Sequence, residues 1–483
     1  MPEPQLVVVG LGPAGLDAAP GAALVFLEDP SRTIVVRTMR HPAAVELGAS
    51  RSLMACDDLY DAATDLEEVY EAIAARVVEA AAGGPVVYGV PGSPHVGERS
   101  VAAVVARAAA EGVSAEVIPG GSFLDLVWSR VGLDPITSGA QILDGRALPD
   151  PLPLHLPTVV TQVDRPVVLA DVAGTLGKVL PDDFEVLVLD RLGSGDEVVQ
   201  PVTLAALARY RPGPRTSLYL DPPPVGWYGL VVTNRRLRRE CPWDREQTHH
   251  TLLRHLIEEA YETVEALGVL PSEAPAGEPD YAAYAHVEEE LGDLLLQVVF
   301  HATLAREAGV FDVEEVAEMI RRKLVHRHPH VFGDVAAHDA ETVLANWEQI
   351  KAAEKSRDSL MDDIPLALPA PARADKLQRR AASAGFDWDD LGEVLAKVDE
   401  EIGELRSAIG HDDAVTHELG DLLFAVVNVA RHVGVDSELA LRRANERFEV
   451  RFRHVESAAK AAGRELGEMT LAEMDALWEE AKR

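Results

Sequence analysis

Residues 286–302 read "HVEEELGDLLLQVVFHA", and residues 417–432 read "HELGDLLFAVVNVARH". The string Glu-Leu-Gly-Asp-Leu-Leu therefore occurs twice, about 130 residues apart, each time running into an apolar stretch. A core helix uses the Leu and Val residues. It has no use for a Glu and an Asp three apart beside them unless those carboxylates hold something. A second acidic pattern, Glu-Glu-x-x-Glu, precedes each copy: Glu258, Glu259 and Glu262 in the first, Glu400, Glu401 and Glu404 in the second. The two patterns are separated by 27 residues in the first copy and 13 in the second. The first spacer is stretched by "GVLPSEAPAGEPDYAAYA", a loop by composition. Each copy opens with a Trp-Asp pair, Trp243-Asp244 and Trp388-Asp389. This is a duplicated helical unit and not a short-period solenoid.

In the second unit, Glu401 and Glu404 are spaced i, i+3, as are Glu418 and Asp421, so each pair lies on one face of its helix. A short connection makes the two helices antiparallel neighbours, and Gly403 and Gly420 are expected to let the backbones approach. Four carboxylates then converge. Their mutual repulsion and shared desolvation raise their pKa values unless a cation is present. Oxygen-only ligands without His or Cys point to a hard ion, Mg²⁺ or Mn²⁺, of the kind that carries substrate phosphates. Glu259, Glu262, Glu290 and Asp293 repeat the arrangement in the first unit. A single acidic pair would read as a solvated face. Recurrence of the whole set beside apolar runs argues for a site.

The chain as a whole limits what such a site serves. It has 483 residues and a formal net charge of −35, so its surface repels a nucleic-acid backbone, and polymeric DNA or RNA is excluded as the expected partner. Small phosphates remain accessible through a divalent cation. Two cysteines, Cys56 and Cys241, argue against a disulfide framework and fit a reducing cytoplasm. "MPEPQLVVVGLG" reads as a first strand and not as a signal peptide, and no apolar run reaches the ~18 residues of a membrane span.

Residues 1 to about 222 alternate β-branched runs ("LVVVG" from Leu6, "TIVVRT" from Thr33, "PVVYGV" from Pro85, "EVLVLD" from Glu185) with helical stretches such as Leu66 to Ala82. That alternation predicts a largely parallel sheet with helices packed on it. The Pro-rich "DPPPVGWYG" from Asp221 is a joint, and "DDIPLALPAPARAD" from Asp362 is another. The expected divisions are 1–222, 223–361 and 362–483. Gly10, Gly12 and Gly15 form a literal Gly-x-Gly-x-x-Gly. A dinucleotide fold needs a helix directly after it, and Pro20 and Gly21 are expected to break that helix. "HRHPH" from His326 reads as a helix-ending turn.

Glu-Glu-x-x-Glu, a spacer and Glu-x-x-Asp is the signature of the all-α nucleoside triphosphate pyrophosphohydrolases of the MazG family, which residues 240–483 resemble. The flanks "CPWDREQTHHTL", "RRKLVHRHPHVFGD", "DKLQRRAASAGFDW" and "ANERFEVRFRHVE" match too. The resemblance implies hydrolysis of an NTP to NMP and pyrophosphate through Mg²⁺. Glu401, Glu404, Glu418 and Asp421 would hold the metal, and one of them would activate water. By the same resemblance Lys376, Asn445, Arg447 and Arg451 face the triphosphate, and Trp478 is a tail aromatic near the nucleotide. Where relatives carry Lys shortly before Glu-x-x-Asp, this chain has "DDAVTH", and Arg447 stands where Lys is familiar, which changes the geometry of the contact. Two-unit relatives make the second unit the expected catalyst, although both acid sets are complete here.

The N-terminal region resembles the tetrapyrrole methylases, a class III fold that takes S-adenosylmethionine. "VVYGVPGSPHVGERSV" from Val86 and "VIPGGSFLDLV" from Val117 carry the likeness. It implies a cleft between two α/β subdomains, with Gly12, Pro91, Gly92, Ser93 and Ser122 toward S-adenosylmethionine. "PGSP" lacks the Asp seen in many methylases at that loop. The expected architecture is therefore multidomain: an α/β methylase-like domain followed by two all-α MazG-type units. The leading expectation is a cytoplasmic, Mg-dependent NTP pyrophosphohydrolase. The alternatives are a methyltransferase of unknown acceptor whose helical units only oligomerise it, and a non-catalytic nucleotide sensor. The apolar helices predict a homodimer or larger homo-oligomer.

Overall fold

A computed structural model describes residues 3–62, 65–271, 273–335, 339, 342–343, 346–347, 350 and 359–482. The chain forms two compact units, Met1–Met319 and Ile320–Arg483.

The first unit begins with five parallel strands: β1 (Leu6–Gly10), β2 (Thr33–Val36), β3 (Leu53–Ala55), β4 (Val86–Val90) and β5 (Ala115–Ile118), in the order β3-β2-β4-β1-β5. The alternation of side chains along a strand serves both faces. Leu6 and Val8 join Val69, Ile73 and Val77 of helix Leu66–Gly83 in one core. Val7 and Val9 join Ala23 and Leu27 of helix Gly21–Glu28 in the other. β1 lies between β4 and β5, so the turns that leave β1 and β4 meet at a point where the strand order reverses, the usual place for a ligand in an open α/β sheet. Pro20 does not break a helix there. It is the N-cap of helix Gly21–Glu28, and only a short 3₁₀ turn, Leu16–Ala18, separates that helix from the glycine turn.

One correction concerns the rest of the α/β region. It is not an extension of the parallel sheet but a second, mixed sheet in the order β6-β7-β10-β8-β9. Its strands are β6 (Gln141–Asp144), β7 (Thr158–Thr161), β8 (Glu185–Asp190), β9 (Val198–Thr203) and β10 (Ser217–Leu220). Only β6 and β7 run parallel; the remaining pairs are antiparallel. The short link from β8 to β9 has no room for a crossover helix and forces a hairpin.

Helices take over at Gly226, immediately after the Pro-rich joint. Helix His249–Val269 is capped by Thr248, and helix Tyr281–Glu307 by Asp280, whose carboxylate accepts from the backbone N–H groups of Ala282 and Ala283 at 3.0 and 3.1 Å. The intervening loop is therefore shorter than its composition implied, because "YAAYA" belongs to the capped helix. Thr303 Oγ1 and Asn234 Oδ1, 2.8 Å apart and buried, fasten Tyr281–Glu307 to helix Gly226–Glu240. Helix Val313–Arg327 stops at the "HRHPH" turn, where His328 precedes the short helix Pro329–Phe332. In the second unit, helices Ala370–Ala382, Leu391–Ala408, Asp412–His432, Ser437–Ala461 and Leu471–Glu480 follow one another. Among the described residues no helix is long and apolar enough to cross a membrane.

Candidate active site

Helices Leu391–Ala408 and Asp412–His432 form an antiparallel hairpin joined at Ile409–His411, with Gly410 in the left-handed region at φ 102°. Asp390 starts the pair by accepting from the Glu393 N–H at 3.1 Å. Val394, Ala408, Ala425 and Val427 are buried along it. This packing sets Glu401, Glu404 and Glu418 together, each offering an oxygen within 4.8 Å of the others. Contrary to expectation, Gly403 and Gly420 do not serve a close backbone approach: a Cβ at either position would meet nothing within 4 Å.

The cluster concentrates negative charge in a small, partly buried volume. Burial, then the charges of Glu401 and Glu418, hold the Glu404 carboxyl above the usual glutamate range. Glu401 is 5% exposed, and its Oε2 is a buried acceptor with no hydrogen-bond partner among the described residues. Its Oε1 accepts from Lys397 Nζ at 2.8 Å. Lys397 also pairs with Glu400 at 2.9 Å, and hydrogen bonding to the two carboxylates raises its pKa. Asp421 shares Glu418 with this cluster but lies toward His417, whose Nδ1 is 3.1 Å from Asp421 Oδ2. Three of the four expected ligands thus form one group, and the fourth adjoins it through Glu418. An orphaned buried carboxylate oxygen among clustered acids suits a hard divalent cation.

A cavity of about 480 Å³ opens beside these acids. Glu401, Lys397 and Asp421 line one side, and Phe386, Trp388 and Phe424 give it apolar walls. Buried Gln378 and Asn428 also line it; Gln378 donates to the Phe424 carbonyl at 2.8 Å, and its Oε1 is unpartnered among the described residues. Arg431 holds Asp387 at its rim in a two-pronged ion pair. Arg451 and Trp478 meet, the guanidinium lying 5.8 Å from the ring centroid, and Phe448 packs on the same ring at 5.0 Å. Lys376, Asn445 and Arg447 are exposed on their helices and do not line this cavity.

The first unit repeats the scheme with differences. Glu259, Glu290 and Asp293 offer oxygens within 4.8 Å of one another. Glu262 stands beside Glu259, and burial, then the charges of Asp293 and Glu262, raise the Glu259 pKa. Thr263 Oγ1 contacts the carbonyls of Glu259 and Glu290 at 2.7 and 3.2 Å and so ties the two acidic helices together. The position four residues before Glu259 is His255, where the second unit has Lys397.

Sequence reasoning missed Lys397, Gln378, Asn428 and Arg431. The only signal for Lys397 was its spacing four residues ahead of Glu401 on the same helix face. Nothing local marked the other three.

At the N-terminal sheet, Gly12 and Gly92 join the β1 and β4 turns through reciprocal backbone bonds of 3.3 and 2.8 Å. Gly12 has φ +76°, and a Cβ there would fall 2.4 Å from the Ala18 carbonyl oxygen, so only glycine fits. Gly92 has φ +66° with open space where a side chain would begin, a cradle that a ligand can enter. Pro91 precedes it, and buried Ser93 follows, accepting from the His95 N–H at 3.3 Å. Ser122 is occupied as a helix cap, its Oγ accepting from Leu124 N–H at 3.1 Å. Small residues and open backbone at this crossing fit S-adenosylmethionine.

The family profile described as "MazG nucleotide pyrophosphohydrolase domain" matches residues 247–332 and 391–456, which contain both acid clusters. A nucleoside triphosphate pyrophosphohydrolase of Escherichia coli is 45% identical over 264 residues, covering 53% of this chain and 96% of that one. The chain belongs to the MazG family. Its two MazG segments follow a profile match to the tetrapyrrole (corrin/porphyrin) methylases over residues 5–208. The same combination extends over a whole relative: protein YabN of Bacillus subtilis, described as uncharacterized, is 40% identical over 99% of this chain and 98% of its own. A MazG nucleoside triphosphate pyrophosphohydrolase/pyrophosphatase of Thermotoga maritima is 41% identical over 52% of this chain and 94% of its own.

Proposed function

We propose that this protein is a divalent-metal-dependent nucleoside triphosphate pyrophosphohydrolase that converts an NTP and water to NMP and pyrophosphate. The observation that carries the reading is the Glu401–Glu404–Glu418 cluster, with its orphaned buried oxygen, opening onto an apolar cavity of nucleoside size. The names of the Escherichia coli and Thermotoga maritima relatives support it. Mg²⁺, or Mn²⁺, held by Glu401, Glu404, Glu418 and Asp421 would neutralise the phosphates and act as a Lewis acid. One of these carboxylates also takes the proton of the attacking water. Lys397 keeps Glu401 oriented. The aromatic walls take the base, with Gln378 and Asn428 at its polar edge. Arg451, stacked on Trp478, closes toward the phosphates, and Lys376, Asn445 and Arg447 supply outer charge and polarity.

The second unit is the main catalyst in this proposal, because its acids are joined to Lys397 and to an adjoining apolar cavity; Glu259, Glu262, Glu290 and Asp293 form a secondary or structural metal site. We place the functional divisions at 1–222, 223–361 and 362–483. Leu419, Leu423, Phe424 and Val426 in the second unit, and Leu253, Ile257, Leu291 and Leu295 in the first, are exposed. A homodimer that buries such faces in four-helix packing follows from this. The setting is cytoplasmic and the role is clearance of surplus or non-standard nucleotides. A second reading, S-adenosylmethionine binding by the N-terminal domain, rests on the Gly12–Gly92 crossing. The deciding experiment incubates the purified chain with each NTP and Mg²⁺ and separates the products: pyrophosphate with NMP supports the reading, and orthophosphate with NDP rejects it.

A further inference from the structure

The polar edge of the second unit's cavity is held in one orientation by its neighbours. Gln378 and Asn428 line that cavity and are 8% and 5% exposed. A side-chain amide can turn either end to a partner, unless the partner only donates or only accepts. Gln378 Nε2 donates to the Phe424 carbonyl at 2.8 Å. A carbonyl only accepts, so the NH2 end stays there, and Gln378 Oε1 is left buried with no hydrogen-bond partner among the described residues. Asn428 Oδ1 accepts from Arg431 Nε at 2.9 Å. A guanidinium only donates, so the Asn428 NH2 group is the end left for a ligand. The cavity therefore offers one acceptor, Gln378 Oε1, and one donor group, Asn428 Nδ2.

Arg431 is itself fixed. Its Nη1 and Nη2 grip the two Asp387 oxygens, the first at 2.9 Å. Asp387 also accepts from the Trp388 N–H at 3.0 Å, so the same ion pair anchors the turn that carries Phe386 and Trp388, two of the aromatic walls. The corresponding hairpin of the first unit forms without this set. Asn428 and Arg431 stand seven and ten residues after Asp421, whereas Phe300 and Thr303 stand seven and ten residues after Asp293. Phe300 packs in an apolar cluster with Leu252 and Leu304, and Thr303 bonds Asn234. An unsatisfied buried oxygen is unfavourable unless a ligand donor meets it. A triphosphate cannot do so, because its oxygens accept. A nucleobase can, since each of the four carries an amino or ring N–H donor beside an acceptor on its pairing edge.

We propose that Gln378 Oε1 and Asn428 Nδ2 recognise the pairing edge of the nucleobase, and that Arg431 and Asp387 are positioning residues that hold Asn428 in the orientation this needs. The substrate class is then nucleotides of any of the four bases whose pairing edge carries a free N–H donor. That assignment rests on the cavity being the nucleoside site of the hydrolase, and it excludes two kinds of ligand: base-free polyphosphates, and nucleotides alkylated at the donor nitrogen. A site that buries a polar atom for a substrate N–H rejects the analogue lacking it far more strongly than an apolar pocket rejects a small difference in size.

The test is isothermal titration of the full chain in Mg²⁺ with three probes: α,β-methylene ATP, its N6,N6-dimethyl form, and inorganic tripolyphosphate. The parent should bind α,β-methylene ATP about tenfold or more tighter than either of the other two. Gln378→Leu should weaken α,β-methylene ATP by about tenfold, erase its advantage over the dimethyl form, and leave tripolyphosphate unchanged. Arg431→Gln should also weaken α,β-methylene ATP by about tenfold and leave tripolyphosphate unchanged, and adding Asn428→Ala to it should cost little more, as a positioning role requires. Gln378→Leu and Asn428→Ala carry the test if Arg431→Gln fails to fold by circular dichroism. The proposal is overturned if the parent binds the dimethyl form or tripolyphosphate as tightly as α,β-methylene ATP, if α,β-methylene ATP does not bind, or if the variants weaken all three probes equally. The α–β bridge of the methylene probes is not cleaved, so these results are independent of the product analysis that tests the hydrolase reading.

Discussion

Replacing Glu401 by glutamine removes one charge from the acid cluster and keeps its shape. Three carboxylates share a volume in which their oxygens lie within 4.8 Å, and Glu401 is the buried member with the unpartnered oxygen. The amide oxygen of glutamine still accepts from Lys397, so the hairpin keeps its geometry, while a cation loses one of three clustered charges. Removing one preorganised electrostatic contact of this kind costs on the order of 3–4 kcal/mol of transition-state stabilisation, roughly 10²–10³-fold in turnover. A merely structural role predicts the opposite: relief of repulsion with activity intact. The assay is pyrophosphate release at saturating NTP across a Mg²⁺ titration, beside melting temperature with Mg²⁺ and with EDTA. Turnover should fall by two to three orders of magnitude, and the Mg²⁺ midpoint should move up. Glu262→Gln and Asp293→Asn in the first unit should each lower turnover less. Full activity of Glu401→Gln would refute the metal-seat reasoning, and a larger loss from the first-unit variants would reverse the assignment of the working unit.

Other expectations follow from the same geometry. The Glu404 carboxyl has a raised pKa in the folded chain, so the native state binds its proton more tightly than the unfolded state, and stability present at low pH is lost as pH rises through that value. In EDTA, Glu404→Gln should therefore gain melting temperature over the parent above the ordinary glutamate range and show no gain below it; a pH-independent difference would contradict this, and Mg²⁺ should abolish the gain. Trp478→Ala and Arg451→Ala, which dissolve the 5.8 Å cation–ring pair, should raise KM about tenfold with kcat changed little, read by steady-state kinetics. Light scattering at micromolar concentration should give a dimer or larger, and Leu423→Glu, at an exposed apolar position of helix Asp412–His432, should shift it toward monomer.

The acid cluster was legible because i, i+3 spacing on two helices joined by a short turn leaves few places for the carboxylates to go. Asp421 shows where that logic ends. Spacing puts it on the correct face, but its partnership with His417 depends on a side-chain torsion that no pattern encodes. Gly403 and Gly420 misled because a glycine in a helix looks the same whether it admits a neighbour or faces open space. Gln378, Asn428 and Arg431 were invisible because the cavity they line is made by the packing of three successive helices, which no local pattern encodes. In the α/β domain, β-branched runs announced strands but not their direction, so β6 to β10 read as more parallel sheet until the short β8–β9 link showed a hairpin. Pro20 read as a breaker where it is a cap, since proline is tolerated where a helix starts and excluded only within it.

The most direct test of the central claim is phosphorus NMR of the reaction of the full chain with an NTP and Mg²⁺ in ¹⁸O-labelled water. The account predicts NMP and pyrophosphate as the first products, formed only with Mg²⁺ or Mn²⁺ and lost with Glu401→Gln. Release of orthophosphate and NDP as the first products, or equal turnover in EDTA, would contradict it.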